Sequence, residues 1–299
     1  VTITSLLAHL GCVLLLMVDA LARGLRTRAC LRGAGWPVSL GRVLEVDLTA
    51  EAASALSPFR LAGEPVRIAG MAYAGAPLNA AVVTSATEGA VNGFAVLVIG
   101  LSLLFGFAPE WWHEVGASLV ARASSAAPLI TLVVAAVILG IWFYRRLSRE
   151  VLPERWQWRA RLREVLRLWA GMPRTTLYSG VLLSIVSVCS RTLLLPLLAL
   201  AIPGHAEFGV IWVGSFMMGY SQLLLPIPAG AGAVELAFLG GVAGDPGSSA
   251  ATLLIAWRGY SLGVATVVGT ALALHRYGVR LLLALARARI SPRPDQPDA

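Results

Sequence analysis

Lysine is absent from the 299 residues, so all 24 basic side chains are arginine. Charge of either sign is scarce: 13% of residues are charged, against roughly 25% in ordinary soluble domains. Too little polar surface remains to cover a soluble core, which excludes a soluble enzyme and an isolated nucleic-acid-binding module. Cysteine is nearly absent as well. Cys12, Cys30 and Cys189 are an odd set without CxxC spacing, and they define neither a disulfide framework nor a metal site. His9, His113, His205 and His275 lack ligand spacing and read as interfacial or packing residues. There is no GxSxG. In Gly230-x-Gly232, Glu235 stands where a dinucleotide fingerprint needs its third glycine. No catalytic residue, metal or cofactor is therefore expected.

Apolar residues make up 57% of the chain, and mean hydropathy is +0.75. The expected fold is all-α and polytopic in a membrane, with about 6–7 transmembrane helices. Spans are expected at 3–22, 77–105, 128–144, 176–202, 208–226 and 250–274. Residues 1–290 would form a single transmembrane domain, followed by a disordered cytoplasmic tail, 291–299. Segment 43–57 is short and holds Glu45, Asp47 and Glu51. With the apolar piece that ends near Gly75, it reads as a re-entrant or broken half-helix pair.

Nineteen of the 24 arginines fall in 23–42, 145–174 and 276–299. These segments lie between or after apolar runs, the pattern of cytoplasmic loops. In that reading Arg23, Arg26, Arg28 and Arg32 form a basic loop after the first span, and the C-terminus is cytoplasmic. The loop 145–175 contains an amphipathic helix starting near Pro153. Trp158, Leu162, Val165, Leu166 and Trp169 share one face, and Arg155, Arg159, Arg163 and Arg167 form a stripe. It would either lie on an anionic leaflet or pack on the cytoplasmic end of the bundle.

Arg60, Arg67, Arg191 and Arg258 lie at breaks or inside apolar runs, as do the acids Asp19, Glu45, Asp47, Glu51, Glu64, Glu88 and Glu235. A charge at mid-membrane costs about 2.5–3.5 kcal/mol even on a lenient scale. Such groups must pair, face a wet cavity or meet a charged ligand. Two readings stand: structural ion pairs, or a cavity in which Arg67, Arg191 and Arg258 receive an anionic head group. Guanidinium suits the second, because its fork binds phosphate through two donors. Arg60 joins the candidates at its break, with Glu64, Glu88 and Glu235 to position the forks.

Two segments break the apolar pattern alike, Pro58…Gly63-Glu64…Arg67 and Pro226…Pro228…Gly230…Gly232…Glu235. Paired interrupted helices point to a central transport site, and their half-helix N-termini offer free N–H groups to an anion. They are either an inverted repeat or two independent kinks. Gly89…Gly93 and Gly259…Gly263 read as small-residue packing contacts between helices.

These segments resemble the lysylphosphatidylglycerol synthase transmembrane-region family, which includes the lipid-flipping membrane half of the multiple peptide resistance factor. The resemblance covers about residues 20–275. It rests on Leu25-Arg26…Leu31…Gly35, Ser57-Pro-Phe-Arg-Leu-Ala-Gly-Glu-Pro-Val-Arg67, Glu88, Leu225-Pro-Ile-Pro-Ala-Gly-Ala-Gly-Ala-Val-Glu235 and Arg258-Gly-Tyr260. One departure is Asn92, which stands where an acidic residue often follows Glu88. The resemblance implies a bacterial inner-membrane protein that translocates anionic phospholipids, glycolipids or lipid-linked intermediates. It carries over Glu64, Arg67, Glu88, Glu235 and Arg258. Few residues follow the last span, so the lysine-transferring domain, and with it enzyme activity, is not expected. A second function class is a non-transporting scaffold that recruits a lipid-synthesis enzyme through 145–175. Expected partners are the membrane and its lipids, with that enzyme or a second copy of the chain, and no nucleic acid.

Overall fold

The computed structural model describes residues 3–57, 60–111, 155–201, 208–221, 238 and 248–288, and every regular element among them is helical. They are α1 (Ile3–Gly33), α2 (Leu40–Leu56), α3 (Gly63–Tyr73), α4 (Leu78–Trp111), α5 (Arg155–Ala170), α6 (Arg174–Thr192), α7 (Leu194–Ala199), α8 (Phe208–Ser221), α9 (Ser248–Arg258) and α10 (Val264–Ala288). A π-helical turn, Gly259–Gly263, joins α9 to α10. Outside the described residues lie the expected span 128–144, Pro58, the tail 291–299 and the second break with Pro226, Pro228, Gly230, Gly232 and Glu235.

Four described segments are long and apolar enough to cross a membrane: Ile3–Gly33, Leu78–Phe107, Arg174–Ala199 and Ala251–Arg276. Their outer faces carry exposed apolar side chains such as Leu6, Leu10 and Leu14 on α1 and Leu97, Leu101 and Leu104 on α4. That is the surface lipid tails require. The protein is a multi-pass membrane protein.

The first span corrects the expected boundary at residue 22. The helix continues to Gly33, and at 1.5 Å per residue its charged half becomes part of the bundle. Arg23 and Arg26 are buried there, so they are not loop arginines. α1 and α3 then end alike. Trp36 N–H donates to the Leu31 carbonyl and Ala76 N–H to the Met71 carbonyl, with Gly35 and Gly75 at φ +91° and +102°. Glycine adopts that left-handed backbone without a Cβ clash, which closes each helix in a Schellman motif.

Between α1 and α4, the chain forms two helices shorter than the four long apolar segments. α2 and α3 form an antiparallel hairpin: a Cβ at Gly63 would meet Ser54, and one at Gly70 would meet Val46. α10 covers the other side of α2, with Gly269 set against the Leu48 carbonyl and Ala52. Buried Leu31, Val43, Val46 and Met71 form the core that joins α1 to this hairpin. A second core packs α4 on α6 and α8 through Ala95, Ile99, Val188 and Val210. A third gathers Cys12, Leu194, Leu195, Met218, Leu253 and Trp257 around α7.

Among the described residues, the small-residue pairs make no close packing contacts. A Cβ at Gly89, Gly93 or Gly259 would meet nothing within 4 Å, and one at Gly263 only the Arg258 carbonyl at 3.9 Å. Close approach occurs at Gly63, Gly70, Gly100 and Gly269 instead. Spacing alone does not say which face of a helix meets a neighbour.

Candidate functional site

Polar side chains recur along the helices at intervals of three and four: Asp19, Arg23 and Arg26–Thr27 on α1; Asp47, Glu51 and Ser54 on α2; Ser184, Ser187 and Arg191 on α6. Ser85, Glu88 and Asn92 repeat the pattern on α4, and Arg60, Glu64 and Arg67 on α3 and the turn before it. Residues at this spacing share one helix face. The packing turns these faces toward one another, so each apolar helix keeps its charges inside the bundle.

Two ion-pair hubs result. In the first, Arg191 reaches two acids at once, with Nε 2.9 Å from Asp19 Oδ2 and Nη2 3.3 Å from Glu51 Oε1. Arg23 spans the same two acids at 3.2 and 2.9 Å, Arg60 reaches Glu51 at 2.5 Å, and the Ser187 hydroxyl donates to Asp19. In the second hub, Arg26 Nε lies 3.3 Å and Arg67 Nη1 3.0 Å from the two Glu88 oxygens. Arg26 Nη1 also donates to Asn92 Oδ1 and Ser184 Oγ, at 3.1 and 3.0 Å. Thr27 lies between Glu88 and Asp47. The planar guanidinium spreads five donors over a rigid fork, which suits such two-acid bridges better than the compact ammonium of a lysine.

Arg60 sits in the left-handed region at φ +57°, a conformation that costs a non-glycine residue about 1–3 kcal/mol. Its own bonds hold it there. Its Nε donates to Ser54 Oγ at 3.1 Å, and its carbonyl accepts from the same hydroxyl at 3.2 Å.

The hubs border two cavities. A polar one of about 450 Å³ is lined by Arg23, Arg26, Arg60, Arg67, Glu88, Asn92 and Arg191, among others. An apolar one of about 280 Å³ is lined by Val13, Leu16, Met17, Leu194, Val264 and Val268, among others. Arg23, Arg60, Arg191, Gly219 and Tyr220 belong to both walls. Five arginines and three glutamates, Glu51, Glu64 and Glu88, line the polar cavity. Glu64 is 60% exposed and hydrogen-bonded to Ser85. The lining therefore carries a positive surplus, the polarity that admits an anion. Among the described residues, no trio of His, Cys, Asp or Glu is placed to hold a metal ion.

The geometry is accompanied by a match along the chain: the family described as Lysylphosphatidylglycerol synthase TM region covers residues 2–269. The chain belongs to this family. No curated protein and no solved structure matches it. In this member of the lysylphosphatidylglycerol synthase transmembrane family, five of the seven candidate site residues line the polar cavity: Arg60, Glu64, Arg67, Glu88 and Arg191. Arg258 lines neither cavity, and Glu235 lies outside the described residues. Ion pairing and cavity lining, posed as alternatives for the unexplained charges, coincide at Arg67 and Arg191.

Sequence reasoning missed Arg23 and Arg26 by assigning them to a loop. It registered Asp19, Asp47 and Glu51 only as acids in need of a partner. The shared spacing of three and four, read across α1, α2 and α6 together, was the signal that finds them. Glu45 falls outside the cluster and pairs with Arg276 at 3.4 Å.

Proposed function

We propose that the protein translocates an anionic, acyl-bearing lipid, a phospholipid or a lipid-linked glycolipid, between the leaflets of a bacterial cytoplasmic membrane. One observation carries the reading: the polar and apolar cavities share the wall of Arg23, Arg60, Arg191 and Tyr220. An amphiphile needs both compartments side by side. A phosphate in the polar cavity would meet the forks of Arg60, Arg67 and Arg191, while a chain occupies the space beside Leu16, Leu194 and Val268. When Arg60, Arg67 and Arg191 turn to a phosphate, Asp19 and Glu51 keep Arg23 and Glu88 keeps Arg26, so these buried acids are not left without a cation. The clustering of arginine in the basic segments supports a cytoplasmic C-terminus. The reading needs no bond-making step and hence no catalytic residue.

The test is exchange of a labelled anionic phospholipid between leaflets of proteoliposomes. The expected result is acceleration over empty vesicles that Arg67→Gln and Arg191→Gln reduce about tenfold or more. Rates equal to those of empty vesicles across several anionic lipids would refute it.

The scaffold reading keeps one observation of its own. α5 packs against α4 and leaves Leu166 and Trp169 exposed, which is a surface for docking on a leaflet or a partner.

A further inference from the structure

Thr27 is buried between two carboxylates. Its Oγ1 lies 2.5 Å from Glu88 Oε1 and 3.1 Å from Asp47 Oδ2. A threonine hydroxyl has one proton to give and lone pairs to accept with, so it can donate to only one of the two acids. Glu88 is the nearer acceptor of that proton, and Arg26 and Arg67 donate to its two oxygens as well. Asp47 is placed otherwise. Its Oδ1 is buried without a hydrogen-bond partner, and so is the nearest cationic atom, Arg67 Nε, 3.5 Å away. An ionised Asp47 would set lone pairs against lone pairs at Thr27 and leave its Oδ1 with a 3.5 Å ion pair but no hydrogen bond. A proton on Asp47 Oδ2, donated to Thr27 Oγ1, removes the first fault and neutralises the carboxylate that makes the second costly.

We propose that Asp47 is a proton-binding site whose occupancy sets the hold of Arg67 on an anionic head group. The charged neighbours of Asp47 are Arg23 on α1, Arg67 on α3 with Glu64 beyond it, Glu88 on α4 and Glu51 on its own helix. On the remaining side, α10 meets α2 through Gly269 and through the Arg276–Glu45 pair. Asp47 does not line the polar cavity. It stands behind Arg67 and acts through it. With Asp47 neutral, five arginines face four acids, Asp19, Glu51, Glu64 and Glu88, and Arg67 can turn the Nε edge of its fork from Asp47 to a phosphate. When the proton leaves, the carboxylate competes for that edge and the surplus falls by one charge. Anion and proton therefore bind together and separate together, so the loaded site carries one unit of charge less than the anion alone would bring.

The coupling rests on the lipid reading; the proton site does not. The first experiment is therefore infrared spectroscopy of the purified protein in lipid nanodiscs. A protonated-carboxyl carbonyl band should disappear on raising pH, persist in Glu88→Gln and be absent from Asp47→Asn. A wild-type protein without such a band, or one whose band survives Asp47→Asn, overturns the proposal. The second is binding of an anionic phospholipid, followed with a pH-indicator dye. Wild-type protein should take up protons on binding, and affinity should fall about tenfold as the band titrates away, within the usual range for coupled sites. Asp47→Asn should bind with a flat pH profile and without proton uptake. Proton uptake that persists in this variant contradicts the coupling. If the band behaves as stated but no lipid binds or exchanges, the transport reading fails and the proton site stands.

Discussion

Arg23 and Arg60 reach the same carboxylate, Glu51, yet removal of each should have a different consequence. Arg23 is the more buried of the two and bridges two acids, so Arg23→Gln breaks two buried pairs at once, although Asp19 keeps Arg191 and Glu51 keeps Arg191 and Arg60. The cost stays below the roughly 3–5 kcal/mol of a buried charge left without any partner. Thermal unfolding in detergent should show a clear loss of stability. Arg60→Gly removes a left-handed arginine, and the backbone strain disappears with the side chain. Glu51 keeps Arg23 and Arg191. The unfolding temperature should therefore hold within a few degrees, while lipid exchange falls about tenfold, the loss expected for one transition-state contact of about 1.4 kcal/mol. A collapse of stability in Arg60→Gly would assign Arg60 a structural role only. The residues the sequence already marked, such as Arg60 and Arg67, were conspicuous because they interrupt apolar runs. Arg23 and Arg26 were hidden by the opposite circumstance: a basic stretch after an apolar one looks like a loop, whether or not the helix continues.

The hairpin α2–α3 holds Asp47, Glu51 and, at its turn, Arg60. Its position depends on close helix approach at Gly269, where an added Cβ would lie 2.1 Å from the Leu48 carbonyl. Backbone cannot yield as a side chain can. Gly269→Ala should push α10 off α2 and cost about 1–3 kcal/mol, the usual range for overpacking. Gly93→Ala meets open space among the described residues and should be neutral or stabilise by up to about 1 kcal/mol. Both are read from unfolding temperature. Gly89 is open as well but lines the polar cavity, so Gly89→Leu should reduce exchange without loss of folded protein. Element type was legible from apolar run length, and the break into the short helices α2 and α3 from the charges and the Ser57-Pro58 stop. Which glycine faces a neighbour was not, because that depends on helix rotation, and rotation is set by partners distant in the chain.

For the molecule as a whole, the two function classes separate at α5. If the protein is a scaffold, charge reversal at Arg155, Arg159, Arg163 and Arg167 should abolish its effect on lipid metabolism in cells and leave exchange in vesicles unchanged. If it is a transporter, the same variant retains exchange, and substitutions at the arginine wall remove it. All-helical membrane architecture follows from composition, since so few charges can clothe only a chain that lipid clothes elsewhere. The convergence of five polar faces on one cavity does not, because it requires the packing. The claim that joins these scales is that the paired cavities carry a lipid across the bilayer. Leaflet exchange in proteoliposomes tests it most directly, with an anionic and a zwitterionic phospholipid compared in the same vesicles. The account predicts faster exchange of the anionic lipid, lost in Arg67→Gln and Arg191→Gln protein that remains folded. Exchange no faster than in empty vesicles, or equal for both lipids and indifferent to those substitutions, would contradict it.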